Sequence, residues 1–149
     1  MPSAGAWVAT VAIVLCVAAC GGEAAATPSP SPPASTTMTF KLSPEAGVTA
    51  SGTVVVFTGA TDMTVELKIT GLPASSSHVS HIHTGSCQQR GGIVFALNQV
   101  IADGQGNADV RTTLNTKFPP ATGHWYVVVH AGPDMQASNA GYLLCGDLF

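Results

Sequence analysis

The chain has 149 residues, of which only 9% are charged, and its formal net charge is −3. With 5 Lys and Arg residues in total it has no basic patch that could cover a phosphate backbone, which argues against nucleic-acid binding. The length is that of one domain, and the 16 Gly and 10 Pro residues among many Val and Thr residues favour short strands joined by turns.

An uncharged apolar run at the amino terminus predicts export. Residues 6–19 have the length of a secretory signal and are too short to span a bilayer comfortably. The run ends in VAAC, residues 17–20, which resembles the lipobox of bacterial lipoproteins. The resemblance implies that residues 1–19 are removed and that Cys20 is lipidated, anchoring the protein to a membrane on the extracytoplasmic side of the cell envelope. The pattern departs from a lipobox signal in having no Lys or Arg in residues 1–5, and the alternative is a plain signal peptide in which Cys20 has no role.

The segment after the signal is predicted to be a tether. Residues 20–37 are rich in Pro, Ser, Thr and Ala and contain few large apolar side chains. Such a segment cannot bury a face, so we expect it to be extended and disordered. The folded domain is therefore predicted to comprise residues 38–149, in an oxidising compartment.

The predicted domain is patterned as about eight short strands. The clearest is residues 64–70, in which Val65, Leu67 and Ile69 alternate with polar residues, as in an antiparallel strand with one buried face. The pattern predicts an all-β, eight-stranded antiparallel Greek-key barrel or sandwich. The other candidate strands are near residues 39–42, 52–57, 79–83, 93–97, 108–114, 125–130 and 142–145.

Histidines are concentrated in one of these strands, where three of the five lie within residues 78–83. Alternate residues of a strand point to the same side, so His81 and His83 project together while Ile82 faces the other way. His130 ends another strand. If the two strands are neighbours, three imidazoles converge, and this donor set suits copper or zinc. An H-x-H pair alone is common, and an exposed pair on a strand usually does nothing.

Cys87 and Cys145 are the two cysteines of the predicted domain. In an exported chain they are expected to be joined rather than free. The bridge would tie the loop after the H-x-H strand to the final strand. Two unpaired buried thiols are the alternative.

Three motifs resemble, in order along the chain, those of bacterial copper/zinc superoxide dismutases. HVSHIHTGSC (78–87) resembles the copper-site strand leading to a disulfide Cys, and VVVHAGPD (127–134) resembles the later strand that supplies another copper ligand. NAGYLLCG (139–146) resembles the ending that contains the partner Cys. GIVFAL (92–97) also resembles a segment of chordin-type (CHRD) domains. The resemblance implies a Greek-key β-barrel of immunoglobulin-like architecture.

Roles for single residues follow from this resemblance. It implies one copper ion, a disulfide beside it, and a further histidine that supports the copper site by hydrogen bonding. The residues implied are His81, His83 and His130 as copper ligands, Cys87 and Cys145 as the disulfide, and His78 as the supporting histidine.

Two features of the dismutase pattern are missing. No histidine lies between Cys87 and His124, so neither a zinc site of the family's design nor the His that bridges copper to zinc is expected. Residues 142–144 are YLL where the family has an Arg before its last Cys, and the nearest preceding basic residue is Lys117. With no local cation, little is expected to steer superoxide to the metal. No catalytic residue is therefore assigned, and enzyme activity stays open.

Three functions are compatible with these observations. The first is dismutation of superoxide at a zinc-less copper site, and the second is holding or delivering copper without catalysis. The third is a CHRD-like interaction module without a metal. We favour a copper-binding, dismutase-like lipoprotein whose partners are the membrane, through Cys20, and either superoxide or a copper donor or acceptor.

Overall fold

The structure, a computed structural model, describes residues 35–149. The predicted signal, Cys20 and nearly all of the predicted tether lie outside the described residues. The first strand begins at Thr36, ahead of the predicted domain start at residue 38. The strands are β1 (Thr36–Pro44), β2 (Ser51–Thr58), β3 (Met63–Thr70), β4 (Ser77–His78), β5 (Ser80–Gly85), β6 (Arg90–Ala96), β7 (Val100–Ile101), β8 (Ala108–Leu114), β9 (Trp125–His130) and β10 (Tyr142–Asp147), with a short 3-10 helix at Ala137–Ala140.

Eight strands form one curled antiparallel sheet in the order β6-β5-β9-β10-β1-β2-β3-β8. The remaining strands, β4 and β7, pair with each other. Asn98, which follows β6, links the two edge strands of this sheet, β6 and β8. Its backbone N–H donates to Thr112 Oγ1 at 2.8 Å, and its side-chain amide donates to the Arg111 carbonyl at 2.8 Å. Both acceptors are on β8. The all-β fold with an eight-stranded antiparallel barrel or sandwich is confirmed.

The core lies inside the curled sheet. Val65, Leu67 and Ile69 of β3 are each 1% exposed, as their alternation predicts. Glu66 on the opposite face is also buried, and Lys68 and Arg111 pair with its carboxylate at 2.8 and 2.7 Å. A buried charge is tolerated when it is paired in this way.

Strand β9 is buried on both faces. Val127 and Val129 belong to the main core, whereas Tyr126 and Val128 belong to a second, smaller cluster on the outside of the sheet. His130 shares the outer face of β9 and has no exposed surface. The outer face of this part of the sheet is therefore covered. Within the part of the chain that the structure describes, no helix is long and apolar enough to cross a membrane.

Candidate metal centre

The three predicted ligands come from two strands that pair directly. β5 is antiparallel to β9, and their register places His81 opposite Val128 and His83 opposite Tyr126. Between them, Ile82 points inward and is fully buried in the core. The N–H of His130 donates to the Val79 carbonyl just before β5, so His130 continues the same outer row. The structure thus brings all three histidines to one face of two central strands.

The imidazole rings face a common point. One ligand nitrogen from each of His81, His83 and His130 can be chosen so that all three lie within 4.8 Å of one another. The ring centroids are 5.1 Å apart for His81 and His130, 5.9 Å for His83 and His130, and 6.0 Å for His81 and His83. Metal–nitrogen bonds of about 2.0 Å allow nitrogens up to about 4 Å apart, so only a small inward movement is needed to hold one ion.

Each ring presents a buried nitrogen that has no hydrogen-bond partner. These atoms are His81 Nδ1, His83 Nε2 and His130 Nε2, and among residues 35–149 they are the buried side-chain polar atoms left unpaired. An unpaired buried polar group costs about 1–3 kcal/mol, so native proteins rarely keep one without a reason. Three neighbouring histidines that each leave a buried nitrogen unpaired form a group that could hold a metal ion.

Backbone carbonyls fix the tautomers of two of the rings. His83 Nδ1 lies 3.1 Å from the Gly91 carbonyl oxygen, and His130 Nδ1 lies 2.8 Å from that of Ala140. A carbonyl can only accept, so both Nδ1 atoms carry hydrogen and, in the neutral ring, both Nε2 atoms carry the lone pair. Ligating histidines commonly donate their other N–H in this way.

His78 lies behind the site and does not join the other three. It is 3% exposed and sits on β4, next to the strand that carries His81 and His83. Its Nδ1–H donates to the backbone carbonyl of His130 at 2.9 Å, and its Nε2 lies 2.8 Å from Ser76 Oγ. His78 therefore contacts the backbone of a candidate ligand and can set the position of that ligand.

Burial favours the neutral form of two of the candidate ligands. The pKa of His81 is lowered from its ordinary value by desolvation and then by the neighbouring His130 and His83. Desolvation also lowers the pKa of His130, although its hydrogen bond to Ala140 acts in the opposite direction. Because a metal binds the deprotonated imidazole, a lowered pKa reduces the competition from protons near neutral pH.

A small aromatic and disulfide cluster covers the site on one side. The ring of Tyr126 is stacked on that of His83, with centroids 5.1 Å apart, and the Tyr142 ring lies 5.4 Å from that of His130. The Cys87–Cys145 disulfide packs in the same cluster, which confirms the predicted bridge. Burial, followed by the hydrogen bond to Tyr126, raises the pKa of Tyr142 to about 12.

One cation beside the site was missed by sequence reasoning. The expectation of no local cation is wrong, because Arg90 at the start of β6 places its guanidinium carbon 4.1 Å from the centroid of the Tyr142 ring. Its charge is shared with Glu45, since Arg90 Nη2 lies 2.6 Å from Glu45 Oε1. Arg90 comes just after Cys87, and the disulfide is what brings this loop to the final strand.

The loop after His130 holds the Ala140 carbonyl in place. Asp134 Oδ1 accepts from the Gln136 N–H and from the Asn139 side-chain amide, both at 2.9 Å. The Asn139 amide, followed by the Gln136 N–H, lowers the pKa of Asp134 below its ordinary value. The backbone N–H of Gly132 donates to the Asn139 carbonyl at 3.1 Å, which fastens the loop to the end of β9.

The curled, eight-stranded antiparallel sheet is a superoxide dismutase-like fold. A crystal structure of a SOD-like protein from Bacillus subtilis matches with a TM-score of 0.59 and 16% identity, over 78% of this chain and 100% of that chain. At this identity the likeness concerns the fold. No curated protein sequence matches the chain. The family model of the CHRD domain matches residues 22–133, so the chain belongs to the CHRD domain family.

Proposed function

We propose that this protein binds one copper ion through His81, His83 and His130. The observation that carries the proposal is that three histidines with ligand atoms within 4.8 Å of one another each leave a buried ring nitrogen without a hydrogen-bond partner. When bound, copper supplies one-electron exchange between Cu(I) and Cu(II).

The donor set supports copper over most other ions. Three imidazoles without a thiolate or carboxylate are borderline ligands that suit copper and zinc, and Cu(II) is the tightest-binding divalent ion of its row. The hard ions magnesium and calcium prefer oxygen ligands, which this group does not offer. The SOD-like fold of the domain is consistent with the use of a metal.

The protein's own contribution is to hold the three rings ready. The Gly91 and Ala140 carbonyls orient His83 and His130, and His78 holds the backbone of His130. Tyr126 covers His83 and keeps water away from it. These groups lower the reorganisation needed when the ion binds.

Superoxide dismutation is a second candidate function, and Arg90 is the observation that favours it. An arginine over the Tyr142 ring, which itself lies 5.4 Å from the His130 ring, places a positive charge near the three histidines, and such a charge can attract a small anion. Glu45 opposes this charge, which sets the expected attraction below that of an unpaired arginine. We therefore place copper binding first and catalysis second.

Location in the cell envelope is the remaining part of the proposal. The VAAC sequence at residues 17–20 supports processing at Cys20 and attachment to a membrane through a lipid. A C20S variant should leave the membrane fraction in cell fractionation and lose metabolic labelling with a fatty acid. Membrane retention without label in wild type would contradict lipidation.

Copper loading and a dismutation assay on one preparation separate the candidate functions. Copper stoichiometry is measured by native mass spectrometry and by EPR, and dismutation is assayed at low and high salt, with R90Q as the variant. One copper with rapid turnover that falls with salt and with R90Q supports the enzyme. One copper with little activity supports copper holding or delivery. Less than stoichiometric copper contradicts the proposal and leaves an interaction module of the CHRD type.

A further inference from the structure

The outer face of the barrel holds two phenols whose hydroxyl groups neither copper binding nor dismutation uses. Tyr126 has no exposed surface, and its hydroxyl oxygen lies 2.9 Å from the hydroxyl oxygen of Tyr142. The chain has 2 Tyr residues, and both are here. Phenylalanine would fill the same space without a polar atom to satisfy, so the pair of hydroxyls calls for a chemical explanation.

Both rings contact the candidate ligands. The Tyr126 ring is stacked on that of His83 with an interplanar angle of 30° and a centroid distance of 5.1 Å. The Tyr142 ring lies 5.4 Å from that of His130 and 5.9 Å from that of His83. An electron leaving either phenol therefore has one imidazole to cross before it reaches the site.

The two tyrosines also connect the buried site to the protein surface. Tyr126 is enclosed, whereas Tyr142 is partly exposed and has the Arg90 guanidinium over its ring. A phenol that gives up an electron must release its proton. With Tyr126 as the donor of the hydrogen bond, its proton moves toward the Tyr142 oxygen while the Tyr142 proton passes to solvent. The geometry thus gives both the electron and the proton a route between the buried Tyr126 ring and the protein surface.

We propose that Tyr126 and Tyr142 are a redox-active pair that supplies electrons when hydrogen peroxide is reduced at the three-histidine site, sparing the histidines from oxidation. This inference rests on the proposed copper function. In the balanced step, peroxide takes one electron from Cu(I) and one from a phenol as its O–O bond breaks. Cu(I), hydrogen peroxide, one phenol and one proton give Cu(II), a tyrosyl radical and two waters. A small external reductant then returns an electron and a proton to the radical.

The test uses the full chain loaded with copper, reduced with ascorbate, freed of excess reductant and mixed with hydrogen peroxide. Freeze-quench EPR detects a tyrosyl radical, and peptide mass spectrometry measures oxygen addition to His81, His83 and His130. Because the chain has 2 Tyr residues, any tyrosyl signal belongs to this pair. Zinc-loaded protein is the redox-inactive control.

We expect a radical in wild type, its loss in Y126F/Y142F, and several-fold more oxidation of the ligand histidines in that variant. If Y126F disturbs folding, Y142F alone removes the partner hydroxyl and should weaken the radical signal while raising histidine oxidation. Copper stoichiometry is measured on every sample. Stoichiometric copper without a radical, or with equal histidine oxidation in wild type and variants, overturns this inference alone, whereas absence of bound copper overturns the proposed function.

Discussion

The imidazole ring of His78 is hydrogen-bonded to the backbone of His130: its Nδ1–H donates to the His130 carbonyl oxygen at 2.9 Å. Both side chains are buried, and their β-strands belong to different sheets. This hydrogen bond therefore holds the end of β9 in the position that places the His130 ring next to those of His81 and His83. A residue outside the ligand set thus helps to position the site.

Replacing His78 with Ala should weaken both the fold and the site. The buried carbonyl of His130 loses its donor, which costs about 1–3 kcal/mol of unfolding free energy. Loss of an outer hydrogen-bond partner lowers metal affinity by about 10–100-fold. Urea denaturation and copper titration measure the two effects. H124A is the matched control, because His124 is exposed and its ring is hydrogen-bonded to the Phe149 carbonyl, away from the site. Equal losses of stability and copper affinity in H78A and H124A would contradict the positioning role of His78.

Two neighbouring glycines on β6, Gly91 and Gly92, differ in the space available for a side chain. A Cβ on Gly91 would meet the Thr84 carbonyl oxygen at 2.1 Å, whereas a Cβ on Gly92 meets nothing within 4 Å. G91A should therefore push β6 away from β5, costing about 1–3 kcal/mol of stability. Because the Gly91 carbonyl holds His83 Nδ1, copper affinity should also fall. Thermal unfolding and copper titration of G91A and G92A check this, and matching results for the two variants would be evidence against it.

Much of this arrangement could be predicted from sequence, because local periodicity determines it. The alternation of Val65, Leu67 and Ile69 indicates a strand with one buried face, and the H-x-H spacing places His81 and His83 on one side. That β9 lies beside β5 does not follow from any local pattern. From the sequence, His130 joins the other two histidines only if the two strands are neighbours, and the motif resemblance to a known family implies this.

The remaining features depend on packing between distant segments. Arg90 reaches Tyr142 because a disulfide and an ion pair draw its loop across the final strand, and no spacing rule indicates this. The carbonyls of Gly91 and Ala140 are backbone groups, and a sequence motif does not indicate which backbone carbonyl will contact a histidine ring. Tyr126 was within reach of sequence reasoning, since it shares the face of His130 at even spacing along β9.

The disulfide should contribute strongly to stability. Cys87 and Cys145 are 58 residues apart, and closing a loop of this length stabilises by about 4 kcal/mol on the chain-entropy model. Guanidinium denaturation of C87A/C145A should show a loss of this order. Peptide mapping after alkylation without reductant should find both cysteines unlabelled in wild type. Two labelled thiols would be incompatible with the bridge.

Asp134 gives a prediction about pH. Its pKa is lowered in the folded state by the Asn139 amide and then by the Gln136 N–H, so its stabilising effect is present above the unfolded pKa and is lost as pH falls through the folded one. N139A should therefore raise the Asp134 pKa toward its ordinary value and shift acid destabilisation to higher pH. Carboxyl NMR titration measures this. Asp103, whose pKa is lowered chiefly by the Asn107 N–H, is the internal control; an Asp134 pKa unchanged in N139A would rule out the stated cause.

The most direct test of the metal centre is copper titration of wild type and H81A/H83A by calorimetry, with circular dichroism to monitor folding. Neither imidazole belongs to the main core, so the double variant should still unfold cooperatively, although the loss of the His83 ring from its contact with Tyr126 should lower its stability. The account expects one tightly bound copper in wild type and none in H81A/H83A, with H124A behaving as wild type. Equal affinity in the wild-type and double-variant proteins would contradict it.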